Sequence, residues 1–254
     1  MKVGVIGLGK VGQTIYDVLM KHHTVRGYDK YKPSDSFQAV LDSEVIFIAV
    51  PTPEGDDGRL DCSIMKEVLG QLEDAEYKGV VVIKSTVRIG FFDNSDNNLK
   101  IVYNPEFLHE KNRWSDVEDP HFVVLAGASD HIPLIKEVYC WIPPEKIEVV
   151  RLREAEMIKL IMNAFASTKI SFWNQMKIIC DERSVDVCRI RDILRKDKDR
   201  WADEYTDPQK GPYGGACLPK DMRELINTFE NNSLLVAVEE INEKMKQAHS
   251  TRAS

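Results

Sequence analysis

Lys2–Gly12 reads KVGVIGLGKVG, an apolar, β-branched run that ends in three glycines with the spacing Gly7-x-Gly9-x-x-Gly12. The run predicts a buried strand over 2–6, and the pattern through Ile15, Val18 and Leu19 predicts a helix over 11–22. The three glycines act differently. Gly7 permits the tight turn, Gly9 lets a pyrophosphate approach the backbone, and Gly12 lets helix pack closely on strand. The amide groups at the helix N-terminus then face the phosphates. A second strand, TVRGYD, ends in Asp29, where a carboxylate can accept hydrogen bonds from the ribose hydroxyls of an adenine dinucleotide. Its charge would repel a 2′-phosphate, which favours NAD over NADP, although Arg26, Lys30 and Lys32 keep the second cofactor open.

Outward from this motif, strand and helix alternate to about residue 150. Strands are expected at 24–28, 44–50, 79–84, 100–103, 122–126 and 147–150, and helices at 62–73 and 131–139. This is the pattern of a doubly wound parallel sheet, an α/β fold of Rossmann type, whose ligands collect at the carboxyl ends of its strands. Three such ends carry polar residues: AVPTP at 49–53, KSTV at 84–87 and NPEFL at 104–108. Each is also an ordinary strand-stop turn by composition.

Beyond Arg151 the pattern becomes helical, which divides the chain into a dinucleotide-binding domain, 1–150, and an all-helical domain, 151–254. A long helix is predicted over 153–182, with Lys159 and Asn163 four residues apart on one face. Shorter helices are predicted at 185–195, 219–229 and 233–248. Between them, a charged, turn-rich stretch delivers GPYGGACLPKD, residues 211–221. Cys217 there reads as a nucleophile at a helix N-terminus, since Pro219 suits a first turn and nearby positive charge favours a thiolate. A buried structural cysteine before a turn is the alternative.

Composition narrows the class. The 254 residues are 43% hydrophobic and carry a net charge of −7, which argues against nucleic acid or a membrane surface as the main ligand. Five cysteines without a CxxC pair suit reduced thiols of the cytoplasm rather than a disulfide framework or zinc site. Six histidines show no metal-binding spacing, so no metal is expected. The apolar runs are strand-sized and the apolar start belongs to the glycine motif, so neither a membrane span nor a signal peptide is expected.

GVIGLGKVG, VPTP with its trailing DGRLD, STV, NPEFL, EAEMIKLIMNAF and GPYGGACLPKD stand in the order and approximate spacing of the UDP-glucose/GDP-mannose dehydrogenase family, which the chain resembles from residue 1 to about 230. The resemblance implies oxidation of a nucleotide sugar's C6 alcohol to a carboxylate with two NAD in succession, through a Cys217 thiohemiacetal and thioester. It implies that Lys159 stabilises oxyanions, that Asp221 and a water move protons, and that Glu106, Thr86 and Asn163 orient water and substrate. Cofactor contacts are implied for Gly7, Gly9, Lys10, Val11, Gly12, Asp29, Lys30, Val50, Thr52, Pro53, Ser85, Thr86 and Lys220. Substrate contacts are implied for Asn104, Glu106, Phe107, Leu108, Lys159, Asn163, Arg200, Tyr213, Gly214 and Gly215.

The sequence departs from the family pattern at Arg88, His109 and Leu218. It also ends before the family's second Rossmann-like domain, which raises the expectation of a short form. The substrate head group would then be held by a dimer and the 196–216 loop, or by a separate polypeptide. A homodimer is expected because the long helix must cover Leu160, Ile161, Phe165, Phe172 and Ile179, and a small helical domain offers little surface to do so. Two other readings stand beside this one: a single-hydride dehydrogenase of the 3-hydroxyacid or 6-phosphogluconate type, and a non-catalytic NAD-binding or assembly protein.

Overall fold

Seven strands assemble in the order β2-β1-β3-β4-β5-β6-β7 in the computed structural model, which describes residues 1–93, 98–109, 112–198 and 205–252. The elements are β1 Lys2–Ile6, α1 Lys10–Leu19, β2 Thr24–Tyr28, α2 Phe37–Leu41, β3 Val45–Ile48, α3 Ser63–Asp74, β4 Val80–Ile83 and β5 Lys100–Tyr103. They continue with α4 Arg113–Glu118, β6 Val123–Gly127, α5 Ile132–Val138, a 3-10 turn Pro144–Lys146 and β7 Ile147–Val149. Helices α6 Leu152–Asp181, α7 Val187–Leu194, α8 Leu218–Thr228 and α9 Ser233–Arg252 follow.

The continuous apolar runs β3 (VIFI) and β4 (VVVI) are buried at every position, as strands covered on both faces must be. Val3, Val5, Phe47, Val82, Val102 and Leu125 form one core with Ile15 and Leu19 of α1 and Ile135 and Val138 of α5. Because β1 lies between β2 and β3, the strand order reverses beside it, and a dinucleotide binds at that switch point in such sheets.

One pairing departs from the expected all-parallel sheet. β5 and β6 are antiparallel, with Val102 opposite Gly127 and Tyr103 opposite Ala126. Among the described residues the link between them holds the six-residue α4, with no long crossover helix of the kind that usually joins parallel neighbours. α2 and α4 were not foreseen. α2 has only five residues behind a Ser36 cap, and α4 buries no side chain, so neither displays an apolar stripe.

The chain forms two compact units. One comprises Met1–Pro53 with Asp61–Lys159, and the other comprises Glu54–Leu60 with Leu160–Ser254. In the helical unit, Ser171 donates to the Val238 carbonyl at 3.0 Å and Asn174 donates to the Gly211 carbonyl at 2.9 Å. Of the five apolar α6 residues expected to need cover, Leu160 is fully buried. Ile161, Phe165, Phe172 and Ile179 are 44–62% exposed on the single chain. Among the described residues, no helix is long and apolar enough to cross a membrane.

Candidate functional site

The sheet unit gathers its candidate residues along one edge, the carboxyl ends of β1 to β5. At β1, Gly7 adopts φ +88°, and a Cβ there would lie 2.7 Å from the Ala49 carbonyl oxygen. A Cβ on Gly12 would lie 1.8 Å from the Gly7 oxygen, so α1 can approach the turn only as glycine. Gly9 caps α1, and nothing lies within 4 Å of where its Cβ would be. That open backbone beside a helix N-terminus fits a pyrophosphate. Lys10 and Val11 follow in the first turn of α1.

Asp29 closes this loop. Its carboxylate accepts the Leu8 N–H at 2.8 Å and the Tyr31 N–H at 2.9 Å, which fixes β2 against the glycine turn and leaves further lone pairs for ribose hydroxyls. Lys30 pairs with Glu67 at 3.1 Å on the surface, which raises its pKa through that hydrogen bond and charge. Lys32 donates to the Leu8 carbonyl.

Two hydroxyls tie the next strand ends together. Ser85 donates to the Val50 carbonyl at 2.6 Å, and the buried Thr52 donates to the Thr86 carbonyl at 2.6 Å. VPTP and STV therefore form one fixed ledge, from which Pro53 projects into solvent.

Below NPEFL lies a buried polar chain that the sequence reading did not identify. Lys84 donates to Asn104 Oδ1 at 3.0 Å, the Tyr139 hydroxyl donates to the same oxygen, and Asn104 Nδ2 donates to the Val124 carbonyl at 2.8 Å. Asn104 is 1% exposed, so its amide serves this network. Burial drives the Lys84 pKa down to about 8, against the opposing pull of Glu106 and with the repulsion of Lys159. Burial also raises the Tyr139 pKa. The signal was present in VVVIK, a lysine directly ending a strand of the sheet centre, where the alternatives to burial are few.

Above this network the structure brings Glu106, Phe107 and Lys159 together. Glu106 accepts the Leu108 N–H at 2.9 Å and so closes its own turn. The Phe107 ring packs against Phe122 at 4.9 Å, and the buried Lys159 Nζ stands 5.6 Å from its centroid.

The helical unit builds a second constellation. Cys217 caps α8 and is exposed, with Pro219 in the first turn, as the sequence predicted. Asp221, one turn on, is fully buried, and its N–H returns to the Cys217 carbonyl at 3.1 Å. Asn163 donates to Asp221 Oδ2 at 2.5 Å and Lys220 donates to Oδ1 at 2.7 Å, so both oxygens of this carboxylate are engaged. Tyr213 anchors the loop before the cysteine: it is 2% exposed, its hydroxyl donates to Glu239, and Asn242 brackets its backbone. Burial and Glu239 raise the Tyr213 pKa. Beyond that anchor Gly214 and Gly215 are exposed, with nothing within 4 Å of their absent Cβ positions. Arg200 lies outside the described residues.

Comparison with known proteins gives these constellations a family. Residues 24–142 match the UDP-glucose/GDP-mannose dehydrogenase family, NAD binding domain, and residues 153–244 match the same family's central domain. The UDP-glucose 6-dehydrogenase of Pseudomonas aeruginosa is 33% identical over 231 residues, covering 83% of this chain and 51% of that protein. YtcA of Bacillus subtilis is 33% identical over 293 residues, covering 96% of this chain and 68% of that protein. A UDP-glucose dehydrogenase structure from Pyrobaculum islandicum superposes with a TM-score of 0.85 at 26% identity, covering 97% of this chain and 68% of that one. The chain thus spans about half the length of the Pseudomonas relative. Its cofactor half is the NAD-binding domain of this family, and the chain as a whole belongs to the UDP-glucose/GDP-mannose dehydrogenase family.

Proposed function

We propose that the protein oxidises the C6 alcohol of a nucleotide sugar, UDP-glucose first among them, to the carboxylate. The observation that carries this reading is the exposed Cys217 at the N-cap of α8, one turn from a buried Asp221 held by Asn163 and Lys220. Bound NAD supplies the hydride acceptance, one molecule for each of two oxidations. Gly9 receives its pyrophosphate on the turn that Gly7 and Gly12 shape, Asp29 its ribose, and Lys10, Val11, Lys30, Val50, Thr52, Pro53, Ser85, Thr86 and Lys220 complete the cofactor contacts.

The residues divide the chemistry by charge. Asp221, through a water, takes the proton of the C6 hydroxyl while the Lys159 ammonium stabilises the oxygen that becomes negative. Cys217 adds to the aldehyde carbon as a thiohemiacetal, and the second oxidation leaves a thioester on the same sulfur. Glu106, with Thr86 and Asn163, orients the water that hydrolyses it, returning the thiol and releasing the acid. Phe107 and Leu108 face the sugar, and the Gly214 and Gly215 amides approach it. In this reading residues 1–150 bind the cofactor and 151–254 supply the nucleophile and a homodimer interface, with a reducing cytoplasm keeping all five cysteines free.

The exposed stripe Ile161, Phe165, Phe172 and Ile179 supports that dimer, because four large apolar side chains on one helix gain most by covering each other across a symmetry axis. The test is NADH formation across sugar nucleotides, sugar phosphates and 3-hydroxyacids. Turnover of a sugar nucleotide to the acid that stops short of the acid when Cys217 is serine supports the reading. Turnover of a hydroxyacid unaffected by Cys217→Ser replaces it with single-hydride chemistry.

A further inference from the structure

We propose that the strap Glu54–Leu60 is a tether that couples the Val50–Pro53 cofactor segment to the helix bearing Cys217, with Glu224 as its latch. The proposal rests on the roles given above to Val50–Pro53 and Cys217. By chain order the strap is continuous with Pro53, and the Asp61 N–H donates to the Pro53 carbonyl at 2.8 Å, closing the stem where the strap leaves and rejoins the sheet unit. The strap itself belongs to the helical unit.

Its internal bonds make it a rigid loop. Glu54 and Leu60 form an antiparallel bridge, the Gly55 N–H donates to the Arg59 carbonyl at 2.8 Å, and Gly58 turns the chain at φ +69°.

α8 grips this loop along one face. Glu224 is fully buried and accepts Arg59 Nη2 at 3.1 Å, the Leu60 N–H at 2.7 Å and the Thr228 hydroxyl at 3.2 Å. A buried carboxylate is costly unless paired, so the helix is stable in this environment only with the strap seated. Arg223 pairs with Glu54, and Asn227 donates to the Gly58 carbonyl at 3.2 Å. A Cβ on Gly58 would stand 2.5 Å from Asn227 Nδ2. Residues 223, 224 and 227 thus seat the strap, while Cys217 lies seven residues before Glu224 on the same rigid rod, about 10 Å away at the rise of an α-helix. A cofactor that shifts Val50–Pro53 therefore shifts the strap with it, and the strap holds the cysteine end of α8.

The test follows the rate at which iodoacetamide alkylates Cys217, read by mass on the Cys217 peptide, with and without saturating NAD. NAD affinity is measured separately by calorimetry. In the unaltered protein NAD should change the Cys217 rate by about fivefold or more, the lower range for coupled sites. In Glu224→Gln and Arg59→Met that change should fall below about twofold while calorimetry still shows NAD binding. Asn227→Ala, an exposed position, gives the same readout should the buried variants fail to fold, and should reduce the change partway. A full NAD effect in all three variants means the cofactor shields the thiol directly and overturns the tether. An NAD effect absent from the unaltered protein overturns it too. If NAD does not bind, or Cys217 does not react, the parent reading fails and the tether fails with it. Sugar-nucleotide turnover lost in the variants with NAD coupling intact contradicts the tether while leaving the proposed chemistry standing.

Discussion

Lys84 shows most sharply what a single residue contributes here. Its ammonium is buried at the end of β4, and its folded pKa of about 8 lies below the ordinary lysine value of 10.5. Between those two values the unfolded chain holds the proton that the folded chain has released, so stability rises with pH across this window, by up to about 3 kcal/mol. Below pH 8 both states are protonated and the full cost of the buried charge remains. Urea unfolding of the unaltered protein and of Lys84→Met at pH 7 and pH 10 checks this, and the difference between the two proteins should change in that direction; a pH-independent difference would contradict it. Asp29 carries a second prediction. Asp29→Ala removes the acceptor for Leu8 N–H and the one proposed for ribose, and should weaken NAD by about tenfold or more while narrowing any preference over NADP, as titration with each cofactor would show. The glycines, Asp29 and the Cys217 cap were legible because a short motif fixes their backbone. Lys84 and Glu224 were not, because their burial is decided by partners 20 and 165 residues away, Asn104 and Arg59.

At the scale of elements, period carried the information. β1, β2 and β5 have the expected bounds, and α6 was readable as one helix of 30 residues because its apolar pattern never breaks. What could not be read was which side of α6 the chain itself covers. Leu160 is packed inside, whereas Phe165 is 62% exposed, although both are large and apolar. Two substitutions separate these roles. Leu160→Ala should cost about 2–5 kcal/mol in denaturant unfolding, the range for emptying a core position. Phe165→Asp should leave the fold intact and convert a dimer to a monomer, as light scattering at micromolar concentration would reveal. A monomeric mass before substitution would contradict the dimer. The antiparallel β5–β6 pair escaped the reading because the period of a strand is the same for both directions.

For the whole molecule, the change of period near residue 150 was legible, but the membership of Glu54–Leu60 in the helical unit was not. DGRLD has the composition of a surface turn, and it is Glu224 and Asn227 of α8 that show where it is held. Cysteine-mediated oxidation with NAD is the chemistry proposed for this family member. In the proposed reaction, binding energy from the nucleotide of the substrate positions the reacting carbon, and each tenfold lost in kcat/KM is worth about 1.4 kcal/mol, so a sensitive covalent readout is preferable to turnover. The decisive measurement offers the C6 aldehyde of UDP-glucose at millimolar concentration with NAD and follows the mass of the Cys217 peptide together with NADH. An adduct on Cys217 accompanied by NADH, both lost in Cys217→Ser, is the predicted result; NADH without an adduct, or a bound aldehyde with neither signal, contradicts it.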